Sequence, residues 1–236
     1  RTPDGTQTEL CADMNEAFSQ SFTMKGVLYL MDGKTYRAVR KSSKNTAWEA
    51  VSVSGTAYVP TTTISAAPTG GGTSYEAVNL LTPKRINTFI GDGTATQFKV
   101  DATDLDETAV TAEVNGSAVT VSAVNRSTGL VTLAAAPANG NGLANVSIAF
   151  AKTVSGYADK INKCRFAGLY GGKNDTRVFL SGNPDEPDCD WQSGLYDPTY
   201  FPDTGYTRMG TDASAIVGYL KQYESQVVVK SGGAHE

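Results

Sequence analysis

The sequence predicts an all-β protein: a mixed antiparallel β-sheet body interrupted by a small β-sandwich. Three observations carry that expectation. Short β-prone runs alternate with a period of two, Gly-containing turns separate them about every 8–12 residues, and aromatic residues fall away sharply in the middle of the chain. Hydrophobic residues make up 40% and charged residues 19% of the 236, too apolar and too weakly charged for a disordered chain.

Residues 27–31 and 35–39 meet across Asp32-Gly33, a turn pair that tolerates the positive φ a tight hairpin needs. Residues 48–53 extend that sheet as a third run. A short helix is expected around residues 14–21. Residues 60–85, with Thr61-Thr62-Thr63-Ile64 and the triple glycine Gly70-Gly71-Gly72, read as a long connection. A phosphate-binding loop would need a lysine before Ser or Thr at the opening of a helix, and Thr73-Ser74-Tyr75-Glu76 supplies none.

Residues 90–152 hold two aromatics, Phe98 and Phe150, whereas residues 153–208 hold nine, so two different cores are being built. The aromatic-poor stretch turns at Asn115-Gly116 and at Ser127-Thr128-Gly129, and its last strand covers residues 144–151. Residues 161–169, 176–181, 215–220 and 225–230 are also strand-like. Between them, residues 182–210 are rich in Pro, Asp, Gly and aromatics. They read as a loop ordered by its own side chains, without a backbone ladder.

The net charge of −4 comes with scattered Lys and Arg, which argues against direct nucleic-acid binding. The one basic cluster, Arg37, Arg40, Lys41 and Lys44, reads as a solvated loop. No apolar run reaches the ~20 residues of a membrane span. Cys11, Cys164 and Cys189 lack the spacing of a disulfide framework or a zinc site, and no cofactor is expected. The single histidine, His235, sits by the end of the sequence, which disfavours histidine-dependent catalysis. Acidic residues gather at Asp185-Glu186-Pro187-Asp188-Cys189-Asp190 and recur at Asp197, Asp203 and Asp212. A solvated acidic turn is favoured over a calcium loop, whose glycine and terminal glutamate are missing, and over a glycosidase pair. Trp191, Tyr196, Tyr200, Phe201 and Tyr206 form the candidate interaction loop: their rings either pack inward or stack on a sugar, with packing favoured.

Two segments carry a resemblance. Tyr58-Val59-Pro60-Thr61-Thr62-Thr63-Ile64, continuing through Gly70-Gly71-Gly72-Thr73-Ser74-Tyr75-Glu76, and Arg177-Val178-Phe179-Leu180-Ser181-Gly182-Asn183-Pro184 with Asp190-Trp191-Gln192-Ser193-Gly194 resemble tail-associated virion proteins of bacteriophages. The runs at residues 215–220 and 226–230 resemble propeller blades of such proteins. Ile90-Gly91-Asp92-Gly93-Thr94, Val114-Asn115-Gly116 and Gly129-Leu130-Val131 resemble an immunoglobulin-like module found in phage tails.

The resemblance implies a propeller-like body at residues 1–87 and 153–236, with an inserted immunoglobulin-like β-sandwich at residues 88–152. It implies a non-enzymatic structural protein of the virion tail that assembles oligomerically with other virion proteins. The alternative is a carbohydrate-binding or host-adhesion module whose partner is a surface glycan, and a glycan-degrading enzyme ranks below it. Subtracting the middle module leaves chain for about four blades, so the body is expected to be part of a longer protein or to complete its sheets with a partner.

Overall fold

The computed structural model describes residues 5, 7–42, 47–172 and 174–235, and the protein is all-β apart from one short helix and one 3-10 turn. It divides into two compact units, one formed by Arg1–Ala57 with Gly156–Glu236 and the other by Tyr58–Ser155.

The first unit opens with a four-stranded antiparallel meander: β1 (Gln20–Met24), β2 (Val27–Met31), β3 (Tyr36–Lys41) and β4 (Trp48–Ser52), hydrogen-bonded in that order. The expected hairpin is present, with Met31 opposite Tyr36. Its turn is held by Asp32, whose Oδ1 accepts the backbone N–H groups of Lys34 (2.9 Å) and Thr35 (2.8 Å) while Gly33 takes φ +76°. Phe22, Tyr29 and Tyr36 stack on the buried face. The expected helix at residues 14–21 is not formed, and β1 begins at Gln20 within it.

The basic cluster is a strand rather than a solvated loop. Arg37, Arg40 and Lys41 lie on β3, where Arg37 is buried and pairs with Asp13 at 3.0 Å and Arg40 pairs with Glu49 at 3.1 Å. Lys44 lies outside the described residues.

The second unit contains β5 (Thr61–Ala66), β6 (Thr73–Ser74), β7 (Lys84–Phe89), β8 (Gln97–Lys99), β9 (Thr111–Val114), β10 (Ser117–Val119), β11 (Val121–Asn125), β12 (Leu130–Leu133) and β13 (Val146–Ala151). Six of these form a mixed sheet in the order β10-β9-β13-β7-β5-β6, and three form a second sheet, β11-β12-β8. One apolar core joins both, with Phe89 and Phe98 edge to face at 5.4 Å among Val131, Leu133, Ile148 and Phe150. Asn115 (φ +50°) and Gly116 (φ +76°) make the two-residue turn between β9 and β10. At Gly129 a Cβ would lie 2.0 Å from the Ala102 carbonyl oxygen, so that turn has room only for glycine.

Residues 60–85 are not a plain connection. The threonine run forms β5 and pairs in parallel with β7, a pairing whose partners lie too far apart in sequence for a local turn signal to announce. Residues 58–87, assigned by sequence to the body, therefore fall in the second unit.

The first unit resumes with α1 (Tyr157–Asn162), where the sequence suggested a strand starting at Ile161, followed by β14 (Phe166–Tyr170), β15 (Arg177–Ser181), β16 (Cys189–Gln192) and β17 (Tyr206–Arg208). These four strands make a second antiparallel meander. The segment 182–210 thus carries two strands of a ladder, with Leu180 opposite Trp191 and Trp191 opposite Tyr206. A third antiparallel sheet follows: β18 (Ile216–Gln222), β19 (Ser225–Lys230) and β20 (Gly233–His235). Within this unit β1 lies beside β14, and β14 beside β18.

Candidate functional site

The five aromatics of the candidate loop do not form one platform. Trp191 and Phe201 are fully buried, while Tyr196 and Tyr206 are 44% and 45% exposed. Trp191 lies on β16 with the Lys160 ammonium 4.9 Å from its ring centroid and Tyr206 at 5.1 Å, and its indole N–H has no hydrogen-bond partner among the described residues. Phe201 meets Tyr36 edge to face at 6.1 Å, and the Tyr36 hydroxyl donates to the Pro198 carbonyl at 3.1 Å. Tyr200 packs over Gly194, where a Cβ would stand 2.9 Å from the Tyr ring. Tyr196, at φ +53°, points away with Lys25 Nζ 6.0 Å from its ring centroid. Packing is what orders the segment, as aromatic area buried against sheets commonly does.

The acidic residues are consumed locally. Asp185 pairs with Lys163 at 2.6 Å, Asp188 with Arg208 at 2.7 Å, and Glu186 with both Arg208 (3.0 Å) and Lys160 (3.2 Å). Asp197 accepts the Thr199 hydroxyl at 2.6 Å, Tyr157 donates to Asp203 at 3.4 Å, and Asp212 takes the Lys230 ammonium at 2.7 Å. Among the described residues no group of three or more His, Cys, Asp or Glu side chains is placed to hold a metal ion.

Burial pushes the Cys164 thiol well above its ordinary range. Burial, together with Glu186 beside it, pushes Cys189 up to about 12. Neither thiol is a nucleophile at neutral pH. The side chain of His235 lies outside the described residues.

Asp190 differs from the other acids. It is 3% exposed, and its Oδ1 accepts the Tyr219 hydroxyl at 2.5 Å. Tyr219 carried no signal in the sequence beyond its place in a strand. The two residues come together because β18 packs on β14 and β15.

The outward surfaces of the first and third sheets carry apolar residues. On β2, Leu28 faces out beside Val39 and Ala50 in register, and Trp48 on the edge strand β4 is 57% exposed, with Lys41 Nζ 5.9 Å from its ring centroid. On β18, Val217 and Leu220 are exposed, Leu220 at 63%, with Val227 opposite Leu220. Tyr223, in the β18–β19 turn, is 91% exposed.

The second unit has a polar cleft of about 410 Å³ lined by Thr63, Gly70, Gly71, Lys99, Asp101 and Thr103 among others. Its floor is a closed network: Asp101 Oδ2 accepts Thr62 Oγ1 (2.6 Å), Thr63 Oγ1 (2.7 Å) and Asn87 Nδ2 (2.9 Å), and Asn87 Oδ1 accepts the Asp101 N–H at 2.8 Å. The network ties the end of β8 to β5 and β7. Among the described residues no aromatic side chain lines the cleft to offer a stacking surface for a sugar ring.

No helix among the described residues is long and apolar enough to cross a membrane. Comparison of the chain with protein-family models, with curated proteins and with solved structures finds no match.

Proposed function

We propose that this chain is a non-enzymatic assembly component of a bacteriophage tail, its first unit an arc of propeller-like blades and its second an immunoglobulin-like β-sandwich. The observation that carries the reading is the arrangement of the three sheets of the first unit. Each is a simple antiparallel meander, their first strands β1, β14 and β18 stand side by side, and none of the sheets closes on itself. Propeller blades stack in this way around an axis. At the two ends of the arc, Leu28 with Trp48 and Leu220 with Val217 are exposed apolar residues of the kind a neighbouring sheet covers.

The mechanism is complementary burial: the free surface of the third sheet in one copy receives the free surface of the first sheet in the next. Such a head-to-tail contact uses two different patches and so propagates into a ring or a filament. The sandwich unit has its own core.

A glycan-binding role finds less support. Two of the five loop aromatics are core residues, and the exposed pair, Tyr196 and Tyr206, belongs to different local contacts. Incorporation of the tagged chain into purified virions tests the assembly reading, and a glycan array tests the rival. Glycan binding lost on Tyr196→Ala, without incorporation into particles, would replace assembly by adhesion.

A further inference from the structure

The interface between the second and third sheets encloses the Asp190 carboxyl group. Asp190 projects from β16, and among the described residues the hydrogen bond to its side chain comes from the Tyr219 hydroxyl. Gly168 on β14 makes the close approach feasible: a Cβ there would lie 2.8 Å from Tyr219 Cγ and 2.3 Å from Gln226 Nε2. Tyr219 and Gln226 are therefore pressed on bare backbone, and Asp190 closes the contact from the β16 side.

The Arg165 side chain, just ahead of β14, lies against Gly33 in the β2–β3 turn, and the other cations of the surrounding elements are engaged elsewhere. Lys160 and Arg208 pair with Glu186, Arg208 also with Asp188, Lys221 with Asp175, and Lys230 with Asp212. Arg177 donates to the Ser193 carbonyl. The titratable groups felt across the interface are the Cys164 thiol and Tyr219 itself, and burial keeps both protonated well past neutrality.

We propose that Asp190 is a proton-operated latch: in its neutral form it holds β18 and β19 against β14 and β15, and its ionisation loosens that docking. The physical reason is desolvation. A buried carboxylate needs several donors or a cation to offset the hydration it has lost, and one phenol is too few. Burial accordingly raises the Asp190 carboxyl to about 7, against the opposing pull of the Tyr219 hydrogen bond.

The sign follows from linkage. The docked state binds this proton more tightly than an open state in which the carboxyl has its ordinary value of 3.8. Docking is therefore strongest below about pH 4, weakens progressively as pH rises, and reaches its weakest level above about pH 7. Opening would bare the Tyr219 face of the third sheet and the glycine-lined backbone of β14, surfaces distinct from those of the proposed assembly contact.

Hydrogen exchange of the whole chain, corrected for intrinsic rates, tests the latch. In wild type, protection of the peptide spanning β18 and β19 should fall up to about tenfold per pH unit between about pH 4 and 7 and then level off, while that of β2 and β3 stays constant. In Asp190→Asn, which is neutral at every pH, the slope should vanish. Constant protection of β18 and β19 in wild type, or an undiminished slope in Asp190→Asn, would overturn the proposal. If the variant does not fold, the Asp190 carboxyl of wild type, followed by carbon NMR, decides: a midpoint near 7 supports the latch and one near 4 overturns it.

Discussion

Gln20, on β1, forms with the Ala167 backbone on β14 the two hydrogen bonds that a neighbouring strand would otherwise supply. The Ala167 N–H donates to Gln20 Oε1 at 2.8 Å, and Gln20 Nε2 donates to the Ala167 carbonyl at 3.4 Å. One side-chain amide thus joins the first strands of two separate sheets. It satisfies backbone groups that no strand reaches, which matters because an unpaired buried group costs free energy.

Gln20→Ala should lower stability by about 1–3 kcal/mol, the usual penalty for leaving partly buried partners unsatisfied. Urea denaturation followed by tryptophan fluorescence measures it. Gln20→Glu keeps the acceptor but opposes a carboxylate to the Ala167 carbonyl, so it should not rescue.

Trp191→Ala should cost about 3–5 kcal/mol, because the side chain is fully buried between Lys160 and Tyr206. Tyr196→Ala, on the same segment but exposed, should change stability by no more than about 0.5 kcal/mol. Thermal unfolding of the two variants separates core from surface. Equal losses would contradict the division of the loop into buried and exposed rings.

Asp212 makes the protein sensitive to acid. The Lys230 ammonium, then Ser214, hold its carboxyl below the ordinary carboxylate range. A depressed folded value means that the stabilisation is present above the ordinary value of 3.8 and is lost as pH falls through the folded value. Asp212→Asn should therefore be less stable than wild type at pH 7, with the gap closing in strong acid. Chemical denaturation at the two pH values checks it. Lys230, whose side chain is fully buried, also donates to the Met209 and Asp212 carbonyls, so Lys230→Met should be destabilised at both.

Asp101→Ala should destabilise the second unit by about 1–3 kcal/mol, since Thr62, Thr63 and Asn87 all donate to one of its oxygens. Asp101→Asn retains an acceptor and should cost less. Calorimetry of the full chain, with exchange of β5 and β7 as the local readout, tests this.

The hairpins were legible because their turns demand special residues. Asp32-Gly33 and Asn115-Gly116 adopt the turn conformations that their side chains and glycines favour. The burial of Trp191 and Phe201 was legible too, as large rings in a long segment must pack somewhere. Strand β16 was not, because Cys189-Asp190-Trp191-Gln192 sits inside an acidic, proline-containing run, and its ladder depends on β15 and β17 arriving beside it. The parallel pairing of β5 with β7 and the meeting of Asp190 with Tyr219, 29 residues apart, are likewise tertiary events. Local pattern marks extended segments such as β2 and β3. It does not set which extended segments meet.

If the free surfaces of the first and third sheets are assembly contacts, the purified chain self-associates, and sedimentation velocity over a concentration series measures this. Wild type should associate as concentration rises, and Leu220→Lys and Trp48→Glu, each at an exposed site, should abolish association while leaving thermal stability unchanged. A chain that stays monomeric at every concentration, or variants that associate as wild type does, would contradict it.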